Sequence, residues 1–547
     1  TLALTGAAGT ALGAGLATDG WHLLDAAILP IFLVLFARTA FAAVSALVGR
    51  GWRAPPAEPA EARPRLRTAL LLPVHNEETS RVFATAEAMR EALVTAGLAD
   101  RFDIFLLSDS TDPAALAREA EAAALLRLRA PVGIFHCRRG SNAGRKAGNI
   151  AHWVRAHGGA YAHFVILDAD SVMEAETLRR LALAMEADPR AGLIQTVPTL
   201  IGGTTRFARL QQWAARAHGP VIARGLAAWA GEAGNYWGHN AIIRTRAFAA
   251  AAGLPELPGP RPFGGPILSH DFVEAALLRR AGWGVHLRPE LRGSHEEPPP
   301  SLAAAAARDR RWCQGNLQHA GLLATPGLHP LSRLHLLDGV LAYLSSPLWA
   351  LFLLLAAAQG ALGLAAPGFG PLLAVMGLLL VPKLPGLRAA PADALRELVL
   401  TALIAPAAMV TQSRQILDIL RGRDSGWAAQ EREGAVPGWG EVLRQHRLHL
   451  GLGAALTASG VLAAPWLLAV GLPLLLAPGI ARSLAAPDPS PAFGTPEERA
   501  PSPLLRRVAA LRLAWQLDLG EGAALRARVP PPPSLSALLA RPDRAPA

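Results

Sequence analysis

Apolar residues crowd the two ends of this chain, while charges and histidines gather between about Arg50 and Arg333. Residues 4–19 and 23–48 read as a helical hairpin over 1–50, its first arm short and glycine-rich. A run of about 20 apolar residues suffices to cross the hydrocarbon core of a bilayer. Arg50, Arg53, Arg63, Arg65 and Arg67 follow, and basic flanks of this kind stay on the cytoplasmic side. Pro55, Pro56, Pro59 and Pro64 stiffen the same stretch into a basic linker over 51–67.

From Thr68 the pattern changes to short apolar runs alternating with amphipathic ones. The runs at 68–72, 102–107, 132–136, 163–167, 192–197 and 283–287 predict strands. The stretches 80–96, 113–128, 144–157 and 174–187 predict helices between them. Such alternation implies an α/β domain over 68–330, a mostly parallel sheet flanked by helices. Ligands of such sheets bind beyond the C-terminal ends of the strands.

Beyond Arg333 the chain turns apolar again, and a membrane region is expected over 331–485, with spans at 335–358, 364–382, 449–465 and 467–484. The stretch 394–412, broken by Pro406, fits a span, a re-entrant segment or an interfacial helix. If it does not cross, Arg388, Arg414, Arg421, Arg423, Arg432, Arg444 and Arg447 share the cytoplasmic side, which favours about six spans. The tail over 486–547 is proline-rich and expected to be partly disordered.

Composition sharpens the membrane reading. Of 547 residues, 51% are apolar and 17% charged, against about 25% charged in soluble domains. The formal net charge of +11 is mostly arginine. No nucleic-acid-binding motif accompanies it, so basic membrane flanks and a site for a nucleotide diphosphate explain it better. Cys137 and Cys313 are the only cysteines, which excludes a disulfide scaffold or a cysteine zinc site and suits a reducing cytoplasmic domain. The sequence opens on Thr1 rather than methionine, so the true N-terminus is expected upstream, and no cleavable signal peptide is read.

The chemistry gathers at the strand ends. Strand 163–167 runs out into Asp168-Ala169-Asp170-Ser171. Two carboxylates two residues apart can jointly face Mg²⁺ or Mn²⁺, which prefer oxygen ligands and bridge to phosphate oxygens. Strand 68–72 leads to His75-Asn76-Glu77, and strand 102–107 to Ser108-Asp109, polar ends where a nucleoside could lie. Gly144-Arg145-Lys146-Ala147-Gly148 opens a helix with two cations, a fitting partner for a diphosphate. Ser269-His270-Asp271 opens the helix 271–280, where the dipole favours an ionised carboxylate suited to general-base work. Arg308, Arg311 and Trp312 precede the returning membrane segment; the arginines can hold a leaving diphosphate and the indole can stack on a sugar. Each segment alone is more often a turn, a helix cap or a basic membrane anchor, except 144–149, where a solvated basic turn is about equally common. Their order changes the odds.

Together, flanked by membrane spans, they resemble the processive membrane-bound glycosyltransferases of family 2, the cellulose synthase type. Asp109, Lys146, Asp168 with Asp170, Asp271, and Arg308 with Arg311 and Trp312 stand where that family has its nucleotide contact, lysine motif, DxD, base and arginine-tryptophan motif. Ser108 and Arg308 depart from the commoner aspartate and glutamine. With LSDSTDP (107–113), RRGSNAGRKAGNI (138–150), YWGHNAIIR (236–244), ILSHDFVEAALLRRAGWGV (267–285) and RDRRWCQGN (308–316), they look like the subgroup that builds osmoregulated periplasmic glucans. The likeness extends more weakly through GWAAQEREG (426–434) and FGTPEERAP (493–501). Much of the longer N-terminal region of enterobacterial members is expected to have no counterpart here.

The resemblance implies a GT-A-type domain in a bacterial inner membrane, facing the cytoplasm. It implies inverting transfer from UDP-glucose to a linear β-1,2-glucan that the spans pass across the membrane. Asp168 and Asp170 would hold the metal, Asp271 would be the base, and Asp109, His75, Asn76 and Glu77 would line uridine. Lys146, Arg308 and Arg311 would meet the diphosphate, and Trp312 with Tyr236, Gly238 and His239 would orient the growing chain. A periplasmic glucan-processing protein and, in some relatives, acyl carrier protein are implied partners. Another family 2 polymerase making cellulose or hyaluronan is the nearest alternative. A lipid glycosylator and a non-catalytic UDP-glucose sensor are more distant ones.

Overall fold

The computed structural model describes residues 1–16, 22–129, 133–364, 369–423, 434–462 and 465–520. Helices α1 (Leu2–Leu16) and α2 (Leu23–Val48) precede the linker. The central domain runs β1 (Thr68–Val74), α3 (Thr79–Thr95), β2 (Phe102–Ser108), α4 (Pro113–Arg129), β3 (Ile134–Arg138), α5 (Arg145–His157), β4 (His163–Ile166) and β5 (Val172–Met173). It continues through α6 (Ala175–Ala187), β6 (Ala191–Gln195), β7 (Thr199–Leu200), α7 (Arg206–Ala230), β8 (Ala241–Arg244) and α8 (Thr245–Ala251). Then come α9 (His270–Arg280), β9 (Gly284–Leu287), β10 (Ser294–Glu296) and α10 (Leu302–Gln318). Helices α11 (Pro330–Ala361), α12 (Phe369–Leu380), α13 (Leu384–Ala389), α14 (Pro391–Leu420), α15 (Trp439–Gln445), α16 (Arg447–Leu462) and α17 (Leu468–Leu484) follow. Helices α18 (Pro496–Arg499) and α19 (Pro503–Asp518) come last among the described residues.

Seven strands form one sheet in the order β3-β2-β1-β4-β8-β6-β9, parallel except for β8, which opposes both neighbours. All of β2 and nearly all of β1 are buried because helices cover both faces of the sheet, which is why these strands read as unbroken apolar runs. Leu70, Leu72, Phe83 and Leu178 pack one core against α3 and α6, and Leu71, Ile150, Phe164 and Leu278 pack the other against α5 and α9. The six expected strands are all present, though Val132 lies outside the described residues. Strand β8 was not expected, since Ala241-Ile242-Ile243-Arg244 is too short to show a period. A small second sheet, β5-β10-β7, also had no sequence signature.

Helix α7 fastens this domain to the apolar helices. Its Gly225 meets Gly49 so closely that a Cβ on Gly49 would lie 2.4 Å from Gly225 N. Trp229 donates to Ser45 Oγ at 3.1 Å and stacks on His335 of α11 at 4.9 Å.

Four helices among the described residues are long and apolar enough to cross a membrane, at Leu23–Gly51, Pro330–Ala361, Pro391–Leu420 and Pro465–Leu484. At the other expected spans α1, α12 and α16 are shorter, with 15, 12 and 16 residues. The undecided stretch forms the 30-residue α14, continuous through Pro406. Both its ends are tied to the central domain. Glu397 lies 3.8 Å from His218 of α7, and Gln415 donates to Ala306 O of α10 at 2.8 Å. A helix about 45 Å long held in this way suits the membrane interface better than a crossing.

The tail is more ordered than its prolines suggest. Pro503 fits the first turn of α19, and Ser502 Oγ caps it by accepting from Leu505 N at 3.2 Å. Trp515 of α19 is fully buried against Phe83, with ring centroids 5.4 Å apart. Residues 521–547 of that tail, and the string at 426–434 apart from Gly434, lie outside the described residues.

Candidate active site

Parallel strands carry their following loops to a common edge, so the loops after β1, β2, β3 and β4 become neighbours. The first two are stitched together. Asn76 has φ 58°, a left-handed conformation that asparagine tolerates. Its Oδ1 accepts from the backbone of Thr111 at 2.9 Å and of Asp112 at 3.0 Å. Its own N–H donates to Ser110 Oγ at 2.8 Å, and His75 Nδ1 lies 2.8 Å from Asp109 O. Ser110 hands this network on to Glu119 of α4, which faces His136 at 3.5 Å. Burial alone would raise the Glu119 pKa, but His136, Ser108 and Ser110 outweigh it and hold the carboxyl below its usual range.

Asp109 is gripped by Arg139, a residue the sequence reading passed over. Nε lies 2.5 Å from Oδ1 and Nη2 2.7 Å from Oδ2, the fork geometry that favours arginine. The same guanidinium donates to Ala143 O at 2.8 Å and Arg145 O at 2.9 Å, folding the loop before α5 against β2. The expected uridine contact is thus a guanidinium-bound carboxylate.

Lys146 donates to Asp168 and, at 2.7 Å, to Gly238 O. Gly238 arrives by way of the unexpected strand. Because β8 opposes β4, the loop before β8 sits beside the loop after β4, and Asn240 N donates to Ile166 O at 2.6 Å. Gln195 at the end of β6 grips this loop, donating to His239 O at 2.9 Å and accepting from Trp237 N at 3.1 Å. Gly238 has φ 89°, a region glycine enters at little cost. A Cβ built on it would lie 3.5 Å from Asp271 Oδ2. One backbone position therefore binds Lys146 and faces Asp271.

Asp271 lies in the first turn of α9, between the buried His270 and the half-buried Phe272. His270 Nδ1 is 3.0 Å from Glu274 Oε1. Burial disfavours the imidazolium, yet the Glu274 pairing prevails and raises the His270 pKa. Tyr236 departs from expectation. Its ring is 0% exposed, inside the core, so it backs the site rather than presenting a face to a sugar chain. Burial, with Glu274, Asp271 and Asp168 nearby, pushes its phenol well above the usual value.

Helix α10 locks the turn at Ser269–Asp271 in place through residues that sequence reasoning missed. A Cβ on Gly315 would fall 2.2 Å from Ser269 Oγ, so only glycine permits the approach. Gln318 accepts from Leu268 N at 3.0 Å and donates to Pro266 O at 3.2 Å, while His319 Nε2 lies 2.9 Å from Ser269 O. On the same helix Arg308, Arg311 and Trp312 share a face by their i, i+3, i+4 spacing. Arg308 lies 4.6 Å over the Trp312 ring, which is 43% exposed.

Glu296 of β10 is a further member that the sequence reading missed, though the string SHEEPPP (294–300) offered a signal. It lies 3.4 Å from His239 Nε2. Burial raises its pKa against the pull of His239, and Asp170 and Asp168 raise it further, while Arg308 opposes them. His239 loses protonation to burial but gains more from Asp168 and Glu296, and its pKa is raised.

No group of three or more metal-binding side chains is assembled among the described residues. The donor set is two carboxylates at a strand exit, beside a lysine ammonium already attracted to one of them. That suits Mg²⁺ or Mn²⁺ held by one or two carboxylates and completed by phosphate oxygens and water.

Comparison with known proteins places the chain among glycosyltransferases. The description "Glycosyl transferase family 2" matches residues 70–250, and "Glycosyl transferase family group 2" matches residues 163–380. A glucans biosynthesis glucosyltransferase H from Xylella fastidiosa is 43% identical over 91% of this chain and 87% of its own length. Another from Shewanella oneidensis is 41% identical over 98% of this chain and 81% of its own. Among solved structures, a mannosyltransferase from Pyrobaculum calidifontis, in complex with GDP-Man and Mn²⁺, aligns at 17% identity and a TM-score of 0.47. The alignment covers 74% of this chain and all of that one.

Proposed function

The chain belongs to glycosyltransferase family 2, in the glucans biosynthesis glucosyltransferase H group, and from that premise we propose that it transfers glucose from UDP-glucose to a growing glucan with inversion. The observation that carries the reading is Gly238, whose carbonyl binds Lys146 beside Asp168 while its Cα faces Asp271. A diphosphate at Asp168 then leaves a sugar between the cationic side and a carboxylate.

The acceptor hydroxyl attacks the anomeric carbon, its proton passes to Asp271, and the bond from that carbon to UDP breaks. Lys146, with Arg308 and Arg311, offsets the charge that develops on the leaving UDP. A bound Mg²⁺ or Mn²⁺, held by Asp168 and Asp170, would add Lewis-acid stabilisation of the same oxygens. The stitched loops at His75–Glu77 and Asp109 receive uridine, and the exposed Trp312 offers its indole to the acceptor sugar.

The relatives' names support a glucan product, and the subgroup resemblance supports a linear β-1,2 backbone. The fastening of α7 and α10 to the apolar helices supports delivery of the chain across a bacterial inner membrane. With α14 at the interface, Arg388 and Arg421 fall on one side of the membrane with the central domain, which supports a cytoplasmic site. Membrane vesicles given radiolabelled UDP-glucose and Mg²⁺ test the proposal. Label should enter a water-soluble β-1,2-glucan. Another linkage or a preferred other donor would mean a different family 2 polymer, and organic-extractable label would mean a lipid acceptor.

A further inference from the structure

Helix α19 takes no part in the chemistry above, yet it is fastened to the donor loop. After α17 the chain crosses α7, where Arg209 meets Asp488 at 3.3 Å and Arg216 meets Glu497 at 3.1 Å, and reaches the outer face of α3. There Trp515 is buried and donates to Glu87 at 2.7 Å. One set of contacts differs from the rest because it lands on Glu78, the N-cap of α3 and the residue after His75-Asn76-Glu77. Arg512 grips both Glu78 oxygens, Nε to Oε1 at 3.1 Å and Nη2 to Oε2 at 2.7 Å. Gln516 donates to Oε1 at 3.1 Å, and Ser80 to the same oxygen at 2.9 Å.

We propose that Arg512, supported by Gln516, is a positioning residue for the donor: it anchors Glu78, fixes the far end of the nucleotide loop, and so sets affinity for the nucleoside diphosphate. The other end of that loop is already tied, through Asn76, to the backbone of Thr111 and Asp112. Arg512 holds the end that the β2 loop does not reach. A second effect has the same sign. Glu77 and Glu78 are adjacent carboxylates on the rim where an anion must dock, and a bidentate guanidinium removes much of the repulsion from Glu78. Burial raises the Glu78 pKa, but Arg512 first, with Ser80 and Arg81, outweighs it, so the carboxylate stays ionised and paired.

This inference rests on the donor site placed above, and the test separates the two. Full-length protein in detergent is titrated with UDP by calorimetry and assayed with UDP-glucose. Arg512→Gln should raise the UDP Kd and the UDP-glucose KM on the order of tenfold, with kcat within about twofold. Arg512→Lys, which keeps the charge without the fork, should fall between it and the wild type. Arg507→Gln removes an exposed pair with Glu91, 2.6 Å apart and further along α3, and should change neither constant. If the wild type binds UDP and Arg512→Gln binds it equally well, the positioning role is overturned. If Arg507→Gln weakens UDP as much, α19 merely supports α3 and the role is likewise overturned. If the wild type binds no UDP, the donor reading itself falls.

Discussion

The side of the site that we assign to the donor is held by hydrogen bonds between loops of adjacent parallel strands, whereas the side that we assign to the base is held by close approach of segments distant in sequence. On the donor side Asn76 bonds Thr111, 35 residues on, and each strand end lies beside the next because β1 and β2 are in parallel register. On the base side His319 Nε2 lies 2.9 Å from Ser269 O, 50 residues back, and Gly315 of α10 lies against Ser269 with no room for a methyl group. The first half therefore tolerates small adjustments, since its bonds can lengthen or recruit water. The second is a packed contact, where one added carbon must displace backbone. Donor affinity and turnover should accordingly fail separately.

The largest effect belongs to Asp170, proposed above as a metal ligand. Asp170→Ala should lose both transfer and metal-dependent UDP binding, a loss of about a thousandfold or more in turnover, measured in vesicles with and without Mg²⁺. Gly315→Ala should strike the other half alone. Its Cβ would sit 2.5 Å from Ser269 N as well as against Oγ, and displacing the Asp271 loop should lower kcat by about a hundredfold with the donor KM unchanged. A joint change in both constants would show that the two halves are not independent. Asn76→Ala should be milder, because it removes one acceptor of two backbone N–H groups; UDP-glucose KM should rise about tenfold and kcat should hold.

The smallest effect on turnover concerns the core beneath both halves. His163 at the start of β4 is fully buried, and burial with nearby Arg244 and Arg246 lowers its pKa from 6.5 to about 4. Below pH 6.5 the unfolded chain takes up a proton that the folded one refuses. Stability is therefore intact above 6.5 and falls by about 3 kcal/mol as the pH drops towards 4. Thermal unfolding across that range should show the slope, and His163→Phe should flatten it while leaving activity at neutral pH unaltered.

The same contrast explains what the sequence disclosed. Strands buried on both faces announce themselves as apolar runs, and parallel pairing then lines up their ends, so Asn76, Asp109, Lys146 and Asp168 were readable together. Strand β8 has four residues, and its importance comes from direction: running against β4, it returns Gly238 and His239 to the same edge. Nothing local encodes that. Arg139, Gln195, Glu296 and Gly315 act through partners far along the chain and look ordinary in their own segments. Tyr236 was misplaced because the likeness of its string to the family says nothing of burial, and the core closes over its ring. The proline-rich tail hid α19, because prolines at 501 and 503 mark a helix start as well as a disordered stretch.

The most direct test of the central claim is paired measurement of UDP-glucose binding and glucosyl transfer for Asp271→Asn in membrane vesicles. The amide keeps the shape of the carboxylate beside Gly238 but cannot take a proton. Donor affinity equal to wild type with no label entering polymer is the predicted result. Full transfer by Asp271→Asn would contradict the account, because the carboxylate facing Gly238 would then not be the base.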